Sequence, residues 1–238
     1  MYYNEEDLSF FINNIYDESY SNNNGGMGAP DLFSLYCIIN KIKPKVVIES
    51  GVWNGISTKL IRKVLPDSII ICLDPREIPY RGFKDTNPKT IYYTGKQFID
   101  FNYLDLSMYD SKDIFCFFDC HQNAYLRLLQ CIEKKILNIF LNDNYPSGCG
   151  SHYTIEHLMT NDTRLFNVDD IDRKNILDTI DIYHIYPNVY PGNIKTGEGL
   201  FECNSYFNTS QNNVEFDIFR RERNTYRWNT YIKLKSIF

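Results

Sequence analysis

Four short apolar runs, each closed by an acidic residue, constrain the fold of this chain more tightly than any other feature. They are Val46-Val47-Ile48 before Glu49, Ile69–Leu73 before Asp74, Ile114–Phe118 before Asp119, and Ile139-Phe140-Leu141 before Asn142-Asp143. Runs of this length without polar alternation are the mark of strands buried on both faces, which is the situation of a parallel sheet. Ile91-Tyr92-Tyr93 is a further candidate strand. Between the runs, Ser57–Leu65 and Asn123–Glu133 carry apolar residues at helical spacing. Strands that alternate with helices imply βαβ units and a doubly wound, mostly parallel sheet, whose acidic strand ends share one ligand-binding edge.

The flanks differ from this middle. Residues 5–17 place Leu8, Phe11, Ile12 and Ile15 on one helix face, and Pro30-Asp31 opens a second helix with Leu32, Leu35, Ile38 and Ile39 aligned. Ser21–Gly28 is a polar, glycine-rich loop. Beyond Gly150 the alternation weakens. Asp170–Ile180 reads as a helix, and 181–190, 204–207 and 226–234 as strands or aromatic-rich caps. No linker divides the chain, so one domain over 1–238 is expected: N-terminal helices (1–43), a core (44–150), and C-terminal strands and cap (151–238).

Net charge is −5, and the one dense basic run, Arg220, Arg221, Arg223 and Arg227, is interrupted by Glu222. A nucleic-acid partner is therefore not expected. No apolar run approaches a membrane span, and the N-terminus lacks the pattern of a signal peptide. Seven cysteines with no C-x-x-C pair fit a reducing, cytoplasmic compartment better than a disulfide framework or a zinc knuckle.

The segment Glu49-Ser50-Gly51-Val52-Trp53-Asn54-Gly55-Ile56-Ser57-Thr58 joins the first strand to a helix start. Gly51 permits a turn, Gly55 permits close approach of a ligand, and Ser57 or Thr58 is a candidate helix cap. Trp53 stands where the dinucleotide fingerprint G-x-G-x-x-G needs its second glycine, which disfavours NAD. The segment resembles the E-x-G-x-x-x-G-x-S form of the glycine-rich loop of class I S-adenosylmethionine-dependent methyltransferases. The resemblance implies a Rossmann-like α/β fold. It also implies a cofactor held by Glu49, Gly51, Trp53, Gly55, Ser57 and Asp119, with Asp74 on the ribose hydroxyls.

A second resemblance covers roughly 30–150. Asp119 after one strand and Asp143-Asn144 after the next look like the metal site of catechol O-methyltransferase-type enzymes, also related to that of bacterial sugar O-methyltransferases. It implies Mg2+ on Asp119, Asp143 and Asn144, an all-oxygen set suited to that ion. Where that family has its lysine base, this chain has Gln122, so His121, with Asp119, is the candidate catalytic group. Tyr145, Tyr186, Tyr190, Trp228 and Trp53 are candidate walls for the acceptor. Together these features imply O-methylation of a hydroxyl on a small molecule or glycan. A non-catalytic S-adenosylmethionine-binding protein is the alternative.

Overall fold

The computed structural model describes residues 3–21, 25–77, 82–196, 199–203 and 216–236, with the backbone alone for 194–196 and 199–203. The strand or cap expected at 204–207 lies outside the described residues.

Seven strands form the main sheet: β1 (Val46–Ser50), β2 (Ile69–Asp74), β3 (Thr90–Thr94), β4 (Ile114–Phe118), β5 (Asn138–Leu141), β6 (Ile180–Ile185) and β9 (Thr230–Leu234), in spatial order β3-β2-β1-β4-β5-β9-β6. The first five run parallel. β9 pairs antiparallel with both β5 and β6. A separate hairpin joins β7 (Gly192–Thr196) to β8 (Gly199–Cys203).

Side chains alternate across each strand, and both sets are buried. Val47, Ile70, Phe115, Phe117 and Phe140 pack on one face with Leu32, Phe33, Leu60 and Ile61 from α2 (Ala29–Ile42) and α3 (Ile56–Val64). Ile48, Ile71, Cys116, Phe118 and Ile139 pack on the other with residues of α4 (Ala124–Glu133), α5 (Ile155–Thr160) and α6 (Asp170–Asp178). This two-sided burial is why the runs lack polar alternation. The N-terminal segment begins as α1 (Glu5–Phe10), capped by Asn4, and ends in a π-turn over Phe11–Ile15. Between β3 and β4 the chain makes two 3-10 turns, Gly95–Gln97 and Phe101–Tyr103. No helix among the described residues is long and apolar enough to cross a membrane.

The C-terminal segment returns across the molecule. α7 (Asp217–Arg221) packs Phe219 against Phe11 and Phe33. Glu222 accepts from the Ala29 amide at 2.7 Å, and Arg227 N and Asn229 Nδ2 donate to the buried Asp31 at 3.0 and 2.7 Å. Gly28 is required here, because a Cβ would fall 1.9 Å from Thr225 Oγ1. This return sets residues 226–229 beside the carboxyl edge of the sheet.

Candidate functional site

Register delivers the acidic strand ends to one edge. Beyond the strands the ladder continues: Gly51 N donates to Leu73 O, Asp119 N to Ser50 O, and Asn142 N to Phe118 O, at 2.8–2.9 Å. The residues that follow must turn sharply, and four non-glycine residues around this edge have left-handed backbones: Trp53, His121, Asp143 and Trp228. Such conformations are costly and concentrate at functional sites.

A cleft of about 470 Å³ runs along this edge, lined by Gly25, Ser50, Gly51, Trp53, Asp74, Arg76, Phe98, Asp100, Asp119 and His121. Trp53 and Phe98 are more than a third exposed, unusual for large rings. Asp74 is buried with both oxygens engaged. Oδ2 accepts from Val52 N at 3.0 Å and Trp53 N at 3.2 Å, and Arg76 donates from N and Nε to Oδ1 and from Nη2 to Oδ2. Although burial opposes it, the Arg76 bonds hold this carboxyl below the usual carboxylate range. The Arg76 guanidinium also lies 4.5 Å from the Trp53 ring centre.

Three residues expected to touch the cofactor do other work. Glu49 is fully buried beneath the loop, where Ser57 and Thr58 both donate to it, Thr58 at 2.6 Å. Burial pushes the Glu49 carboxyl up to about 7. Neither Ser57 nor Thr58 caps α3. Gly55 occupies the N-cap, with a left-handed backbone. Gly55 faces protein, since a Cβ would lie 2.1 Å from Phe83 O. Gly51 lines the cleft and is required for packing as well, because its Cβ would lie 2.2 Å from Asp119 O.

At the far end of the cleft, ligand atoms of Asp119, His121 and Asp143 lie within 4.8 Å of one another. His121 Nε2 is 2.7 Å from Asp143 Oδ2 and 3.7 Å from Asp119 Oδ1. Tyr145 OH donates to Asp143 Oδ1 at 2.5 Å, and Asn142 Nδ2 to Asp119 Oδ1 at 3.0 Å. Enclosure and the neighbouring Asp143 push Asp119 up to about 7. The hydrogen bond to Asp143 raises His121. Burial alone would raise Asp143, but its bond to His121 leaves it lowered.

Asn144 lines the same pocket as His121 and Asp143, but its side chain is bonded to neighbouring protein groups. Its Oδ1 accepts from Ile155 N at 3.0 Å and Glu156 N at 3.4 Å, and its Nδ2 donates to Tyr183 OH and Thr230 Oγ1. Tyr186 and Tyr190 are absent from the site, buried in the core on the α2 face. Tyr145 does meet Trp228, with ring centres 5.5 Å apart.

Sequence reasoning missed four neighbours. Asn142 is beside Asp119. Arg227 Nε is 3.7 Å from Asp143 Oδ1. Arg76 covers Asp74. His152 stacks on His121 at 5.6 Å between ring centres, and burial lowers its pKa to about 4. Only Asn142 carried a signal, its place after the apolar run 139–141.

No protein-family model matches the sequence, and no curated protein does. Solved structures do match. The O-methyltransferase TomG from Streptomyces achromogenes, involved in tomaymycin synthesis and in complex with SAM, is 11% identical over 98% of this chain and 97% of its own, with a TM-score of 0.50. A CmcI structure described as Mg-SAM is 14% identical over 74% of this chain and 72% of its own, at 0.43. The O-methyltransferase from Bacillus cereus in complex with SAH is 10% identical over 96% and 97%, at 0.43. The chain shares its fold with TomG.

Proposed function

We propose that this chain transfers the methyl group of S-adenosylmethionine to a hydroxyl of a small molecule or sugar at the Asp119–His121–Asp143 cluster, assisted by a divalent cation. The observation that carries this reading is the single cleft that joins Trp53 and Asp74 to Asp119 and His121. Its residues suit a nucleoside: flat apolar faces at Trp53 and Phe98 for a base, and the Asp74 carboxylate as an acceptor for a vicinal diol. S-adenosylmethionine supplies a methyl group on a cationic sulfur, leaving the protein to align the acceptor oxygen and remove its proton.

Gln122 cannot take that proton. His121 can, in the neutral tautomer that carries its proton on Nε2 toward Asp143 and leaves the Nδ1 lone pair as the acceptor. The same three side chains also suit a dication, since two carboxylates would be balanced by it. A cation bound there supplies Lewis acidity to the acceptor oxygen. A neutral imidazole has one lone pair, so His121 serves as base or as ligand, not both.

The test is calorimetric titration with S-adenosylmethionine, then transfer of labelled methyl to a panel of hydroxylated acceptors. Asp74→Ala is expected to weaken donor binding by roughly 1–3 kcal/mol, about 5- to 150-fold. Absence of donor binding sinks the proposal. Donor binding without transfer to any acceptor returns a non-catalytic binding protein.

A further inference from the structure

We infer that Asp119, His121 and Asp143 form a site selective for a borderline transition-metal ion over Mg2+, with His121 as a ligand rather than a base. This rests on the proposed function only for the purpose of the site, not for its existence. Mg2+ asks for oxygen donors and retained waters. The third oxygen expected from the sequence is committed elsewhere, because Asn144 Oδ1 is bound to the amides that open α5. An imidazole nitrogen stands in the cluster instead, 2.7 Å from a carboxylate oxygen of Asp143 and 3.7 Å from one of Asp119. Imidazole favours Zn2+, Co2+ and Fe2+ over Mg2+.

A second observation points to a missing ligand. Asn142 is 8% exposed, and the amide that donates to Asp119 keeps its own Oδ1 buried with no hydrogen-bond partner. Buried polar atoms are rarely left so. His152, stacked on His121 and lining the same pocket, has a buried Nδ1 in the same condition. Two orphaned polar atoms beside three convergent ligand atoms are what a cation with further ligands, direct or through water, would satisfy.

The experiment uses the full chain freed of metal by chelation, without S-adenosylmethionine. Co2+ is titrated by its visible absorption, then displaced by Zn2+ and by Mg2+. Zn2+ is expected to compete at concentrations at least about 100-fold below those Mg2+ needs. His121→Ala should weaken Co2+ by about 10- to 100-fold, change its spectrum, and leave Mg2+ affinity nearly unaltered. His121 is largely exposed, so folding should persist, checked by circular dichroism. X-ray absorption of the Zn2+-loaded wild type gives a reading independent of any variant, and should show imidazole nitrogen among the atoms bonded to zinc. An all-oxygen zinc environment, no ion bound, or a His121→Ala variant with wild-type Co2+ affinity and spectrum each overturns the inference. Failure of S-adenosylmethionine to bind, measured separately, would count against the proposed function alone.

Discussion

Asp74 has no free oxygen lone pair facing an open cleft. Its partners are two loop amides and the Arg76 side chain. A ribose diol therefore has to displace the Arg76 guanidinium, which is half exposed and swings out at little cost. Water reaches the guanidinium and screens the pair, but the carboxylate is buried, so breaking it costs on the order of 1 kcal/mol. Arg76→Ala should accordingly tighten donor binding, by up to about fivefold, in the same calorimetric titration that shows Asp74→Ala weakening it. A weaker Arg76→Ala complex would mean that the guanidinium contacts the donor itself. The contrast shows what single residues disclose in a sequence. Asp74, Asp119 and Asp143 were legible because each follows an apolar run that fixes its place on the sheet edge. Arg76, His152 and Arg227 come from irregular segments, where no periodicity says which way a side chain turns. Glu49, Ser57 and Gly55 stood at readable positions, yet the motif could not say whether they faced the cleft or supported it.

At the level of elements, the clearest reassignment is Asn144, which belongs to α5. Thr154 caps that short helix and accepts from His157 N, while Asn144 Oδ1 takes the amides of Ile155 and Glu156. Three of the orphan donors at the helix start are thereby satisfied. Asn144→Ala should destabilise the protein by about 1–3 kcal/mol, since it leaves the buried Ile155 amide and the half-buried Glu156 amide without this partner. Urea unfolding measures this. Co2+ affinity should hardly change, and a large loss would restore Asn144 as a ligand. The parallel strands were legible as far as Leu141 because their two-sided burial leaves a continuous apolar run. β9 lies in 226–234 and β6, all but its first residue Ile180, in 181–190, where strands or caps were expected. Their insertion order, with β9 between β5 and β6, was not legible. It depends on pairing across some 90 residues of chain, as between Tyr231 and Phe140. That order matters for the site, because it draws Arg227 and Trp228 back to Asp143 and Tyr145.

The whole molecule carries two opposed sets of carboxyl groups, and their balance gives it a stability optimum on the acid side of neutrality. Asp74, Asp85 and Asp100 are held below their usual range by Arg76, Arg62 and Arg127, against the pull of burial. A carboxyl lowered in the folded state adds stability that is present above its unfolded pKa and lost as pH falls through the folded one. These pairs therefore weaken the fold below about pH 4. Glu49, Asp31 and Asp119 act in the other direction, because burial raises all three. A carboxyl raised in the folded state gives stability that is complete below its unfolded pKa and lost as pH climbs through the folded value. For Glu49 that interval runs from its ordinary 4.5 to about 7. The loss across it is on the order of 3 kcal/mol, since a tenfold change in proton affinity is worth about 1.4 kcal/mol. Glu49→Gln keeps an oxygen for one of the two hydroxyls, offers an NH2 that the other can turn to accept, and cannot ionise. Thermal melting of the metal-free protein from pH 4 to pH 8 should show wild-type stability falling above pH 5, with a shallower fall in Glu49→Gln, where Asp31 and Asp119 still contribute. The variant should therefore gain on the wild type as pH rises, and parallel curves for the two proteins would mean that Glu49 stays ionised beneath the loop.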